Sequence, residues 1–502
     1  MRKNILLALI CAAGFLLRLH CLSSMDIWQD EIYTALRMGK SFQYLIRHIE
    51  GFPPFYYLTL KLWTGVFGTG ALALRFPSAV FSALSVFFIF KMARELYDER
   101  TALFSAAFLA VSPYSIYYAQ EAKMYSLLWL FGLVSFLYLY RFMQNGRMRD
   151  LAVYVMSALC MIYTMYAGFI LLAVHNIFFF YFCKKKNIRA WLICQAVIFL
   201  FYLPWYPMLL HHIEESGKHL FWITRTGDID NGARNILPYV SGLQFYADYW
   251  INRITFFIYI FLAASAVVAW KNIKGGVNMI VFKKQEALLL LWICFPVLVF
   301  FLIDSCLTPI FIIPRYIGFI HMPFIILLSK GISGYNCGIS RIKLSFAIFL
   351  VLLSINVSNN LFPYYRYNFE TGRDNFVKCF EWLEKNADEN APVININMPP
   401  RIVEYFDRKN RIKPKVYLSE IKGRGHESVF FLFYYSDKKE AEDSLARLEK
   451  RLNMSLSAVF YSSREMDSYA GGAAWLKKPE PVKNGRDQDQ RVFHSDRDLI
   501  YK

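Results

Sequence analysis

The stretch LRFPSAVFSALSVFFIFKMARELYDERTALFSAAFLAVSPYSIYYAQEAKMYSLL, residues 74–128, decides the architecture. Residues 76–93 form an apolar run in which Lys91, near the end, is the single charge. A helix that crosses a bilayer needs roughly 20 mostly apolar residues, and this run is long enough. A basic turn with Arg94 and Arg100 follows, then an uncharged run over 101–118, then a turn that holds Glu121 and Lys123, then a third run from 124. Apolar runs separated by short charged turns predict a polytopic membrane protein.

The pattern extends in both directions. Candidate spans fall at 4–22, 76–93, 101–118, 124–142, 151–166, 167–183, 190–210, 252–270, 286–303, 315–331 and 343–361, about eleven in all. The fifth and sixth share one run. Composition agrees: 56% of the 502 residues are hydrophobic and 18% aromatic, and the mean hydropathy is +0.30. The net charge of +18 would suggest nucleic acid in a soluble protein. Here much of the Lys and Arg lies in short loops between spans, which sets orientation and excludes a nucleic-acid partner.

With the N-terminus inside, the cytoplasmic loops carry Arg94 and Arg100, then Arg147 and Arg149, then Lys184 to Lys186 with Arg189. Lys271, Lys274, Lys283 and Lys284 follow, then Arg341 and Lys343. Every expected inner loop is basic, and the outer ones are mixed. A multi-pass protein of the plasma membrane is expected, with an extracytoplasmic C-terminus. Segments 23–75, 211–251 and everything after 361 lie outside. The first apolar run has no clear cleavage site after it and reads as an uncleaved span. Residues 55–67 are apolar, too short to span and interrupted by Lys61, so they read as an amphipathic helix in the outer interface.

After 361 the pattern changes. VININ (393–397) and VFFLFYY (429–435) read as buried strands, and FVKCFEWLEKN (376–386) and EAEDSLARLEKRL (440–452) as helices. The expected fold class is an all-α membrane domain over 1–361 with a small extracytoplasmic α/β domain over 362–476 and a polar tail over 477–502. The nine cysteines suggest no metal site or redox pair.

The chemistry-bearing residues gather on the outer face. In WQDEIYTALRMGK (28–40), Asp30 and Glu31 open a helix that places Tyr33, Thr34 and Arg37 on the face of Asp30. A carboxylate at a helix N-terminus stays ionised and can take a proton from a hydroxyl nucleophile. Local sequence alone reads more readily as a solvated helix start, since Asp and Glu are common in first turns. His48 in HIEGFPPFYYL binds a phosphate, tunes a carboxylate or is a polar interface residue. Arg75 at the second span's outer entrance binds phosphate or snorkels. Glu121 and Lys123 lie at bilayer-surface depth, where ionisable groups face a cavity or pair; Glu121 and Tyr125 are expected on one helical face. Arg315 and Tyr316 open the tenth span, and guanidinium suits a phosphate. His321, deeper in that span, reads as a packing residue. Trp222, Tyr239, Tyr246 and Trp250 suit sugar stacking or an interfacial aromatic belt.

Taken in order, QDEIYTA, PPFYYLTLKLW, the 74–128 stretch, LPWYP (203–207) and PRYIGFIHMPFIILLSKGI (314–332) resemble the membrane glycosyltransferases of the GT-C fold. The nearest likeness is to the superfamily of protein O-mannosyltransferases and lipid A aminoarabinose transferases, over most of residues 1–335. The resemblance implies a polyprenyl-phosphate-linked sugar donor, an extracytoplasmic active site, an extracytoplasmic acceptor and inverting transfer. It implies Asp30 as base with Glu31 beside it, Glu121 as the acid of the second loop, and Lys123 where relatives often have Arg. Where relatives often read Tyr-Thr-His-Tyr, this chain has Met165 in YTMY. No metal or other cofactor is therefore assumed, and a divalent ion is left open.

The expected mechanism has Asp30 activating the acceptor while Arg315, with Lys123 or Arg75, steadies the departing lipid phosphate. Asp30, Glu121 and Arg315 should then line one cavity. The rival reading is a lipid-linked glycan transporter, which predicts internal repeats and midplane charges. A non-catalytic scaffold with a glycan-binding tail is the third reading.

Overall fold

A computed structural model describes residues 2–25, 27–47, 51–183, 187–219, 249–267, 270–272, 278–280, 283–306, 314–334, 341–370, 376–387, 392–396, 398–406, 412–414, 428–435, 438–452, 454–461, 470–477 and 492–494. The chain forms two compact units, Met1–Leu22 with Lys40–Arg366, and Ser23–Gly39 with Tyr367–Lys502. The expected boundary at 362 thus lies a few residues early. Residues 23–39, expected as part of the membrane domain, belong with the C-terminal unit.

The helices before the first long break are α1 (Arg2–Leu19), α2 (Gln29–Met38), α3 (Phe42–Arg47), α4 (Phe55–Phe67), α5 (Ala71–Leu96), α6 (Glu99–Ala110), α7 (Pro113–Ala119), α8 (Tyr125–Asn145), α9 (Met148–Thr164), α10 (Gly168–Phe182), α11 (Ile188–Tyr202) and α12 (Tyr206–His219). Then come α13 (Tyr249–Val267), α14 (Lys284–Cys306), α15 (Pro314–Ile317), α16 (His321–Gly334), α17 (Arg341–Asn356) and α18 (Phe362–Glu370). All eleven expected spans fall mainly on helices, although the one expected over 252–270 leaves its helix after Val267 and ends on Trp270 of a strand. Among the described residues seven helices are long and apolar enough to cross a membrane, or eight if the bent pair α6–α7 is one span. Asn4–Leu19 and Gly168–Phe182 are shorter apolar helices.

Local chemistry explains the joints. Pro77 inside α5 has no N–H for the Ala73 carbonyl, and the Trp63 indole donates to that carbonyl at 2.9 Å instead. Asp98 caps α6 by accepting from the Thr101 amide at 2.9 Å. Pro113 sits at the start of α7, whose axis bends 57° from α6. Lys284 donates to the Phe182 carbonyl at the end of α10, where a cation suits the dipole. Gly331 lets α16 press on α13: a Cβ there would lie 1.9 Å from the Leu262 carbonyl oxygen. Helix α4 spans about 20 Å at 1.5 Å per residue, short of the roughly 30 Å hydrocarbon core. It buries Tyr56, Tyr57, Leu60 and Thr64 and exposes Leu62, Val66 and Phe67, as an interfacial helix does. A short hairpin, β1 (Trp270–Asn272) and β2 (Asn278–Ile280), precedes α14.

The second unit adds α19 (Phe376–Asn386), β3 (Val393–Asn395), α20 (Pro400–Phe406), β4 (Ile412–Pro414), β5 (Ser428–Tyr435), α21 (Lys438–Leu452), β6 (Ser455–Tyr461), β7 (Ala470–Lys477) and β8 (Val492–His494). The strands form one mixed sheet in the order β4-β3-β5-β7-β6-β8. β5 is central, parallel to β3 and antiparallel to β7. Val429 to Phe433 are buried without alternation, because both faces of this strand are covered. Phe431 and Phe433 pack with Ala441 and Leu445 of α21, while Phe430 stacks on Trp475 at 5.3 Å. Cys379 on α19 is buried, and burial pushes its thiol up to about 12. Within the expected polar tail over 477–502, Val492–His494 pairs in parallel with β6.

Candidate active site

In the C-terminal unit, α2 forms where DEIYTALRM places a turn's worth of apolar residues on one side. Ile32, Ala35 and Met38 are buried, and so is Glu31 at 0% exposure. Glu31 is therefore not a solvated acid. Asp30 is half-buried. Its backbone carbonyl accepts from the Thr34 hydroxyl at 3.0 Å, and the Tyr33 hydroxyl accepts from Gln29 at 3.0 Å. The Arg401 guanidinium of α20 lies over the Tyr33 ring, 5.1 Å from its centroid.

In the membrane unit, the other candidates gather around the turn between α7 and α8. Glu121 is 1% and Lys123 5% exposed. The turn is held from several sides. The Gln120 amide donates to the Arg18 and His20 carbonyls at 3.1 and 2.7 Å, and its oxygen accepts from Tyr364 at 2.7 Å. Ser78 donates to the Lys123 carbonyl at 3.2 Å, and Ser126 to the Tyr118 carbonyl at 3.0 Å. Helix α8 begins only at Tyr125. Glu121 and Tyr125 therefore do not share a helical face, since Glu121 sits on the irregular turn before it.

Tyr118, which the sequence reading did not single out, joins the pieces. Its hydroxyl is in electrostatic reach of both the Glu121 carboxylate and the Arg315 guanidinium. It hydrogen-bonds Tyr114, and its ring meets those of Tyr125 at 5.2 Å and Trp129 at 5.5 Å. Arg315 rests over the Tyr316 ring at 5.6 Å. Its short helix α15 continues through a 3₁₀ turn, Gly318–Ile320, into α16. His321 is buried and hydrogen-bonds Ser112 at 2.9 Å, a packing role as expected.

The Lys123 ammonium makes no hydrogen bond or ion pair among the described residues. Arg75 is wholly buried and donates to the Leu22 carbonyl at 2.9 Å. His48 lies outside the described residues, as do Trp222, Tyr239 and Tyr246. Trp250 is exposed, with Arg253 over its ring at 5.9 Å. Glu121 and Arg315 belong to the membrane unit, and Asp30 to the other. No three His, Cys, Asp or Glu side chains come together as metal ligands among the described residues.

Arg18 is the other residue missed. It is wholly buried inside the first span. Its five N–H groups donate to Ser82, the Gly14, Ala110 and Leu109 carbonyls, and Ser115, at 2.7 to 3.1 Å. The α6–α7 bend frees the last carbonyls of α6, and Arg18 satisfies two of them. The signal was in the sequence: an Arg inside GFLLRLHCL is an intramembrane charge.

Residues 52–210 match the family model for dolichyl-phosphate-mannose-protein mannosyltransferase. No curated protein matches the chain by sequence. Among solved structures, ArnT from Cupriavidus metallidurans in the apo state aligns with TM-score 0.60 at 12% identity, over 95% of this chain and 98% of that one. The same protein bound to undecaprenyl phosphate aligns with TM-score 0.54 at 12% identity, over 93% and 97%. The Archaeoglobus fulgidus oligosaccharyltransferase in complex with Zn and sulfate gives 0.52 at 13% identity, over 93% of this chain and 73% of that one. The protein is thus a multi-pass membrane protein of the GT-C fold, and its residues 52–210 carry the mannosyltransferase family pattern.

Proposed function

We propose that the protein is a membrane glycosyltransferase that moves one hexose or pentose from a polyprenyl-phosphate carrier to an extracytoplasmic glycan, lipid or protein. The observation that carries this reading is Lys123, a residue only 5% exposed whose ammonium has no hydrogen-bond or ion-pair partner among the described residues, two residues from Glu121. A phosphate ester is the natural counter-charge for it, and Arg315, which shares Tyr118 with Glu121, supplies a second cation. The undecaprenyl phosphate bound by the Cupriavidus protein has the same chemistry.

Asp30 is assigned as general base. It takes the acceptor's proton as the acceptor oxygen bonds the anomeric carbon. The bond from that carbon to the phosphate oxygen breaks, the configuration inverts, and polyprenyl phosphate leaves. Lys123 and Arg315 receive the developing charge, the step that most needs electrostatic help. Glu31 orients its neighbour; Glu121 and Tyr125 shape the donor side; Arg75, His48 and Tyr316 are secondary phosphate contacts. The N-terminus is placed in the cytoplasm and the C-terminal unit outside. Asp30→Asn keeps size and removes basicity. Transfer should fall by roughly 10²–10⁴-fold, as for loss of a positioned base, with donor binding intact. Full activity in that variant would remove Asp30 from the mechanism.

A further inference from the structure

At the end of the membrane unit opposite the Glu121 turn, a cavity of about 880 Å³ opens between α1, α6, α16 and α17. Opposite follows from chain direction: α6 starts at the cavity and α7 ends at the turn, and α16 runs from beside Arg315 to the cavity. The wall is apolar, with Leu6 and Ile10 of α1, Leu103 and Ala107 of α6, and Phe349 of α17. From Glu99 to Ala107 the helix rises about 12 Å, so the cavity runs into the hydrocarbon depth.

Asp98, Glu99, Arg100 and Lys330 also line it, all four near helix ends. Asp98 caps α6 and pairs with Lys330 at 3.8 Å, and the Lys330 ammonium lies over the Tyr97 ring at 5.0 Å. The hydroxyls of Thr101 and Ser333, 2.8 Å apart, tie α6 to α16 beside them. Among the described residues the mouth thus offers two acids and two bases on a fixed frame. A purely anionic headgroup would meet two carboxylates, and a purely cationic one would meet Arg100 and Lys330. A headgroup with both a phosphate and a primary ammonium matches both signs.

We propose that this cavity is a binding site for phosphatidylethanolamine. One of its two acyl chains lies along Leu103 and Ala107, its phosphate meets Arg100 and Lys330, and its ammonium donates to Glu99 and Asp98. The site is separate from the sugar-donor chemistry and stands whether or not that reading holds.

The test is the lipid retained by the full chain after purification in mild detergent, read by native mass spectrometry. Phosphatidylethanolamine should be held at one molecule per chain and enriched over phosphatidylglycerol relative to the source membrane. Ala107→Trp fills the wall and should cut retention about tenfold, a change worth about 1.4 kcal/mol. Glu99→Gln keeps the groove and should shift preference towards phosphatidylglycerol, which decides the matter if the tryptophan variant does not fold. Phosphatidylcholine, whose quaternary ammonium has no N–H, should not replace the lipid on add-back. Retention that mirrors the bulk membrane, or is unchanged in Ala107→Trp and Glu99→Gln, would mean adventitious annular lipid only and overturn the proposal. So would polyprenyl phosphate as the retained species.

Discussion

Gly318 and Tyr114 are packed so closely that a Cβ on Gly318 would lie 2.5 Å from the Tyr114 hydroxyl and 2.5 Å from Cζ2 of Trp129. The two rings are buried and stacked, 5.5 Å apart with a 14° tilt, so neither yields cheaply. The missing side chain is what seats the short segment carrying Arg315 against α7 and α8, and so within reach of Tyr118.

Gly318→Ala should therefore act at a distance from the chemistry. Overpacking costs typically 1–3 kcal/mol, and relief by moving α15 displaces Arg315. We expect a lower melting temperature and a raised KM for the lipid donor. Gly65→Ala is the control, because a Cβ there meets nothing within 4 Å. Equal behaviour of the two variants would detach Gly318 from the site.

Arg18 should be a stability residue of unusual weight. Arg18→Gln leaves several of the five acceptors without a donor. Each buried acceptor so orphaned costs roughly 1–3 kcal/mol. Arg18→Lys, with three donors, should recover part of the loss. Denaturation in detergent checks both, and a wild-type midpoint for Arg18→Gln would refute the role.

Lys123→Met gives opposite signs for stability and function. Replacing an ammonium that has no hydrogen-bond or ion-pair partner among the described residues by an apolar side chain, at a position only 5% exposed, should raise the melting temperature of the ligand-free protein. Donor affinity should drop about tenfold or more, consistent with loss of a charge-assisted contact worth roughly 1.5–3 kcal/mol. Sites that spend stability on function behave this way. Unchanged affinity would remove Lys123 from the phosphate site.

How much of this was legible depends on the kind of signal. The helix at 376–386 could be placed to the residue, because FVKCFEWLEKN has a clear apolar stripe ending at Asn386. The spans were legible by length, and α4 by its shortness. β7, AGGAAWLK, was not, because alanine and glycine carry no period of two; only its partners β5 and β6 explain it. Tyr118 was hidden among 33 tyrosines, and its importance comes from being in electrostatic reach of both Glu121 and Arg315, which sequence spacing does not reveal. Arg18 was legible as a charge inside the first span, but not its partners, because nothing in the sequence predicts that its acceptors would be serines and carbonyls from three other helices. Glu121 and Tyr125 misled for a simpler reason: the four-residue spacing means a shared face only if the chain is helical between them.

The central claim is that this protein consumes a lipid-linked sugar. Purified wild-type protein, reconstituted in liposomes, should be given a panel of polyprenyl-phosphate hexoses and pentoses with candidate acceptors, and free polyprenyl phosphate measured. The account predicts acceptor-dependent release from at least one donor in the panel, abolished in Asp30→Asn and weakened in Lys123→Met. Transport of the intact lipid-linked sugar across the bilayer with no release of polyprenyl phosphate would contradict it.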